Sequence, residues 1–139
     1  MAISAFTGLL RSANIISHQV HKTLAPHNLT VSQFGVLEAL HRKGPMYQRD
    51  LAEQILKTTG NITTVIDNLE KRKLVKRIRE VKDRRYFQVV MTPEGEQLIK
   101  KIYPTHVKRV DTIMGKLDQD EQEELQEICK KLDEPITAE

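Results

Sequence analysis

Read for apolar and polar alternation, the chain has a helical rhythm at both ends and two rhythms in its middle. Phe6, Leu9, Leu10, Ala13, Ile16, Val20 and Leu24 recur at three- and four-residue spacing, which predicts one long amphipathic helix over residues 3–25, ended at or near Pro26. Thr30-Val31-Ser32-Gln33 has the form of a capping box, in which a hydroxyl and an amide side chain satisfy each other's backbone N–H. The helix it opens buries Phe34, Leu37 and Leu40 and stops at Gly44-Pro45. A short run, QRDLAEQIL, predicts a helix from Gln48 to about Leu56 that buries Leu51, Ala52 and Ile55. After a turn at KTTG, with Thr58 or Thr59 as cap, NITTVIDNLEKRK places Ile62, Val65, Ile66 and Leu69 on one helix face.

The period then changes to two. LVKRIRE and YFQVVM alternate and are separated by VKDRR, so residues 74–91 predict a hairpin with a cationic tip, and Met46-Tyr47 is expected to pair as a third strand. Thr92 caps and Pro93 opens a helix carrying Leu98, Ile102, Val110, Ile113 and Leu117, which Pro104 is expected to bend. Asp118 caps a last helix with Leu125, Ile128 and Leu132. The expected fold class is mainly α (α+β): a winged helix-turn-helix over residues 29–103, with residues 1–28 and 104–139 forming a helical dimerisation region, all in one continuous compact fold. The apolar faces of the terminal helices exceed what one small winged unit can cover, so a homodimer is expected.

Charge sharpens this picture. Residues 41–90 hold 13 Lys/Arg against 6 Asp/Glu, whereas residues 91–139 hold 7 against 12. A basic middle beside an acidic C-terminal helix implies a local phosphate-binding surface, and double-stranded DNA as the partner. The candidate DNA-binding residues are Thr58, Thr59, Asn61, Thr63, Thr64, Asn68 and Lys71 on the second helix of the pair, with Arg84 and Arg85 at the hairpin tip. Short polar side chains opposite an apolar face suit a major groove, whose base edges present donors, acceptors and methyls. Asp83 is expected to structure the tip by pairing with Arg85, while Arg85 or Arg84 enters a minor groove. A short helix pair and a charged hairpin tip are each common structural features without function. Their order and spacing together carry the reading.

The same residues resemble those of the MarR (multiple antibiotic resistance regulator) transcription factors. Leu51-Ala52, Ile62-Thr63, Asp67 to Lys71 and Leu74-Val75-Lys76-Arg77 carry the resemblance, and Asp83-Arg84-Arg85 with Val89, Met91-Thr92 and Gly95 is its most specific part. It covers residues 29–98 in detail and the flanking helices in pattern. Three positions depart from the family. Lys73 stands where glycine commonly follows the recognition helix, and Thr64 and Asn68 stand where long basic side chains are frequent. The resemblance implies a cytoplasmic homodimeric repressor that binds a pseudo-palindromic operator and responds to a ligand or stress. It also implies an effector pocket between the dimer helices and the winged unit. The stretch ILKTTGNITTVIDNLEK is most similar to relatives that answer phenolic or electrophilic compounds. The alternative is a winged-helix protein-interaction module without specific DNA binding.

Other chemistry finds less support. His18 and His21 share a helix face, but no Cys or carboxylate completes a ligand set, so no metal or other cofactor is expected. Cys129, the single cysteine, cannot form an internal disulfide, in keeping with a reducing compartment, and its place beside Ile128 suits a small packed residue rather than a redox sensor. No Gly-rich phosphate loop, nucleophile elbow or paired-carboxylate motif supports an enzyme. No apolar run is long enough to span a membrane, and no secretory signal is evident at the N-terminus.

Overall fold

A computed structural model describes residues 1–55, 59–80, 82 and 86–136, with backbone alone at 59 and 60. The first helix, α1 (Ala2–Leu24), runs into a short 3-10 turn at Ala25–His27 that ends on Asn28 in a left-handed conformation. Thr30 then caps α2 (Val31–Lys43): its hydroxyl accepts from the Gln33 N–H at 3.1 Å, and the Gln33 side chain accepts from the Thr30 N–H at 3.0 Å. Gly44 ends this helix at φ 79°, a value that favours glycine. The capping box and stop expected from the sequence are therefore both present.

Met46–Tyr47 form β1, followed by α3 (Gln48–Gln54), α4 (Thr59–Lys71) and the hairpin strands β2 (Val75–Arg79) and β3 (Phe87–Met91). The sheet order is β1-β3-β2, all antiparallel, with Met46 opposite Val89 and Arg77 also opposite Val89 across the central strand. The third strand expected at Met46-Tyr47 is thus in place. Helix α3 ends at Gln54, and the sequence-based limit at Leu56 lies outside the described residues.

After β3, Thr92 caps α5 (Pro93–Met114) by accepting from the Gly95 N–H at 3.1 Å. The helix passes through Pro104 and ends at Gly115, so Leu117 belongs to the connecting turn rather than to the helix. Asp118 and Glu121 form a second capping box at the start of α6 (Gln119–Asp133).

The core is built from α2, α3, α4, the sheet and the first half of α5, around Val36, Leu37, Leu51, Ile62, Ile66, Leu69, Val89, Ile99 and Ile102. From α1 only Leu24 is fully buried, although α1 packs against both α2 and α5. Ile3 (76%), Phe6 (59%), Leu10 (48%) and Leu132 (61%) remain exposed on the terminal helices. No helix among the described residues is long and apolar enough to cross a membrane.

Candidate nucleic-acid interface

Helix α4 presents three distinct faces. At 100° per residue, Ile62, Ile66 and Leu69 fall within about 60° of one another, and all three are fully buried. Asn61, Thr64, Asn68 and Lys71 share a second stripe about 80° wide on the same wheel, and each is exposed. This stripe carries one cation and three short polar side chains, with no acidic group. It is the face of α4 turned to solvent beside the hairpin.

The third face holds Thr63, Asp67 and Glu70, and it is turned toward β2. There Arg77 reaches from the edge strand and is only 15% exposed. Its Nη1 donates to Asp67 Oδ1 at 2.6 Å and to Glu70 Oε1 at 3.0 Å, its Nη2 to the Thr63 carbonyl at 3.2 Å, and its Nε to Gln48 Oε1 at 2.9 Å. The Arg77 backbone N–H donates to Glu70 Oε2 at 3.0 Å, so the carboxylate also satisfies an edge-strand donor. The amide of Gln48 closes the group by donating to the Thr63 hydroxyl at 3.0 Å.

The end of α4 has its own device. Lys73 lies at φ 61°, its N–H donating to the Glu70 carbonyl at 2.9 Å, while the Leu74 N–H donates to the Leu69 carbonyl at 3.0 Å. These paired bonds, 5→2 and 6→1, form a Schellman motif with a lysine at its left-handed position. Buried Leu69 and Leu74 are its apolar pair. The chain therefore keeps the turn that glycine usually serves and accepts the strain. Arg72, beside it, donates through Nη1 and Nη2 to the carbonyls of Asn28 (2.6 Å) and His27 (3.0 Å), tying the end of α4 to the α1–α2 connection.

At the base of the hairpin, the Tyr47 hydroxyl donates to Glu80 Oε2 at 3.1 Å, and the Arg49 guanidinium stands 4.8 Å from the Tyr86 ring centre. The Glu80 carboxylate, by accepting that bond, raises the Tyr47 pKa above its usual 10.0. Lys76, Arg79 and Lys82 are exposed along the hairpin, and Arg79 lies 4.7 Å over Phe87.

Of the residues singled out from the sequence, Asn61, Thr64, Asn68 and Lys71 come together on the exposed stripe. Thr63 sits about 200° round the helix from Asn61, half-buried, with its hydroxyl bonded to Gln48. Thr59 opens α4, while Thr58, Asp83, Arg84 and Arg85 lie outside the described residues. Sequence reading missed Gln48, Glu70 and Arg77 as a group. Its one signal was a pair of carboxylates, Asp67 and Glu70, three residues apart inside a basic segment. Cys129 is half-buried on α6, and His18 and His21 are exposed on α1. Among the described residues no three His, Cys, Asp or Glu side chains are grouped for a metal.

Comparison with known proteins gives the same picture. The MarR family model matches residues 29–87. The HTH-type transcriptional regulator MhqR of Bacillus subtilis (strain 168) is 30% identical over 131 residues, spanning 94% of this chain and 90% of its own. AbsC, a MarR family transcriptional regulator from Streptomyces coelicolor, superposes with a TM-score of 0.85 at 26% identity over 93% of this chain and 89% of its own. NadR, solved in complex with 4-hydroxyphenylacetate, gives 0.79 at 27% identity over 91% of this chain and 89% of its own. The exposed stripe of α4, the basic hairpin beside it and these relatives agree: the chain belongs to the MarR family and is a DNA-binding transcriptional regulator of the winged helix-turn-helix type.

Proposed function

We propose that the chain acts as a homodimeric repressor of a pseudo-palindromic operator, released by a small aromatic effector. The observation that carries the dimer is the uncovered apolar row on both terminal helices: Ile3, Phe6, Leu10, Ile128 and Leu132 each keep 47% or more of their surface exposed. Apolar rows left uncovered in this way favour burial against like rows of a second copy. Residues 1–28 and 104–139 then form the dimerisation region and residues 29–103 the DNA-binding region. The boundary falls inside α5, so one helix connects the two functions.

In the dimer, two α4 helices enter successive major grooves, roughly 34–36 Å apart. Asn61, Thr64, Asn68 and Lys71 face the bases, with Thr58 and Thr59 at the helix start, and Thr63 supports them through Gln48. Arg84 and Arg85, ordered by Asp83, reach the flanking minor grooves. A cavity of about 400 Å³ between α1 and α2, lined by Ser17, Val31, Ser32, Gly35 and Ile55, suits the effector. Ile55 directly follows α3, so a ligand there bears on the helix pair that positions α4. Of the phenolic and electrophilic classes, the 4-hydroxyphenylacetate bound by NadR supports the phenolic one. By linkage, such a ligand must bind the DNA-incompetent geometry more tightly.

Truncation of residues 119–139 tests the dimer. Sedimentation should show monomer or aggregate, and an intact dimer would refute the assignment. Selection from a randomised duplex pool should yield an inverted repeat, and 4-hydroxyphenylacetate should weaken binding to it. A pool without any preferred sequence would refute specific recognition.

A further inference from the structure

We infer that Arg77 is a positioning residue for operator recognition: an internal cation that locks the recognition helix to the wing and makes no contact with DNA phosphate. The inference rests on the DNA-binding reading and deepens it. Arg77 belongs to the most basic segment of the chain, where a cation would ordinarily be assigned to phosphate. Its geometry says otherwise. Nε donates to Gln48, Nη1 to Asp67 and Glu70, and Nη2 to the Thr63 carbonyl, so every guanidinium nitrogen is engaged within the protein. Two carboxylates face this one cation, leaving the group with a net negative charge beside the reading stripe. That is unfavourable for DNA affinity and useful only if geometry is what the group provides.

What it fixes is specific. Gln48 starts α3, Thr63, Asp67 and Glu70 lie along α4, and Arg77 lies at the middle of β2. One planar fork therefore joins both helices of the reading pair to the wing strand. A fork of this kind holds angle as well as distance, which a lysine ammonium does not. Arg77→Lys keeps the charge and loses the fork, so it separates positioning from phosphate contact.

The test uses the full-length chain, a duplex selected from a random pool and a scrambled duplex of equal length, with folding checked by circular dichroism and sedimentation. Arg77→Lys and Asp67→Asn should each weaken binding to the selected duplex by about tenfold or more. On the scrambled duplex, the slope of affinity against salt should be unchanged in Arg77→Lys and in Arg77→Met. Glu70→Gln should tighten binding to the scrambled duplex while lowering the ratio of selected to scrambled affinity. If Arg77→Lys keeps full affinity and Arg77→Met lowers the slope by about one, Arg77 is a phosphate contact and the proposal falls. Equal losses on both duplexes would reduce it to a stability role and also overturn it.

A second arm needs no DNA. In nitrogen-15 spectra, the Arg77 guanidinium should show slowed rotation and protected protons, lost in the Asp67→Asn/Glu70→Gln double variant. A guanidinium as mobile as that of exposed Arg49 would overturn the lock. Should the pool yield no preferred sequence, specific recognition fails while this arm still decides the lock.

Discussion

Lys73→Gly should stabilise the protein, and the amount follows from the geometry at the end of α4. Lys73 has φ 61°, where a Cβ crowds the following carbonyl at a cost of about 1–2 kcal/mol. Relaxation is blocked on both sides. The Thr92 hydroxyl donates to the Lys73 carbonyl at 2.6 Å, and the Thr92 N–H donates to the Leu74 carbonyl at 3.1 Å. Glycine removes the crowding but loses more backbone freedom on folding, which offsets about 0.4–1 kcal/mol. The net expectation is a gain of about 0.5–1 kcal/mol, or roughly 1–4 °C in Tm for a chain of this size. Lys73→Ala is the control, because it removes the same cation and side chain while keeping the strained Cβ. Urea unfolding at fixed protein concentration should place Lys73→Gly above Lys73→Ala, with a common m-value. If the alanine variant matches or exceeds the glycine variant, residue 73 carries no left-handed strain and the Schellman reading of this turn is wrong.

Three further outcomes follow from other parts of the molecule. The His106 ring is tilted against Phe34, 4.4 Å between ring centres, with its Nδ1 buried and unpartnered among the described residues, and burial lowers its pKa below 6.5 against a smaller opposite pull from Glu38. Its contribution to stability is therefore complete above pH 6.5 and lost as pH falls through the lowered value; His106→Phe should flatten the pH 7.5 to 5.5 dependence in urea unfolding, and an unchanged dependence would refute this. Gly95→Ala would drive a Cβ into the Leu74 carbonyl oxygen and to 2.7 Å from Met91 Cγ, so it should cost about 1–3 kcal/mol by thermal unfolding. Asn68→Ala should cost about 1–3 kcal/mol on a selected duplex and little on a scrambled one, as read by fluorescence anisotropy across a salt series; equal losses would mean that Asn68 reads no base.

Local chemistry made much of this fold legible in the sequence. Both capping boxes, at Thr30 and Asp118, involve partners three residues apart, so the sequence contains the whole interaction. The pairing of Met46-Tyr47 with β3 could be anticipated because a hairpin with an open edge invites a short third strand. The Arg77 group could not be read this way, since its fork reaches 29 residues back to Gln48 and 14 back to Thr63. Polarity alone grouped Thr63 with Asn61 and Thr64, whereas helical angle places it beside Asp67 and Glu70. The apolar row of α1 was visible in the periodicity, yet periodicity cannot say what covers such a row. In the folded chain most of it stays exposed.

The stripe proposed to read bases would explain why so much of the surrounding structure is devoted to holding α4 still. Residues 59–70 contain no lysine or arginine, and apart from Lys71 the side chains proposed to face bases are threonines and asparagines. Such side chains extend only one or two bonds beyond Cβ, so they cannot compensate for a helix that sits even slightly too far from the groove floor. A long arginine can bend to meet a base; an asparagine must be brought to it. Two arginines that would otherwise serve phosphates are spent instead on α4, Arg77 on its flank and Arg72 on its end. Cations left exposed nearby include Lys73 and, on the hairpin, Lys76, Arg79 and Lys82. Because Arg72 is anchored on the α1–α2 connection, any displacement of that connection would reach α4 through this contact. The same short side chains that require accurate placement would then lose their contacts after a small displacement.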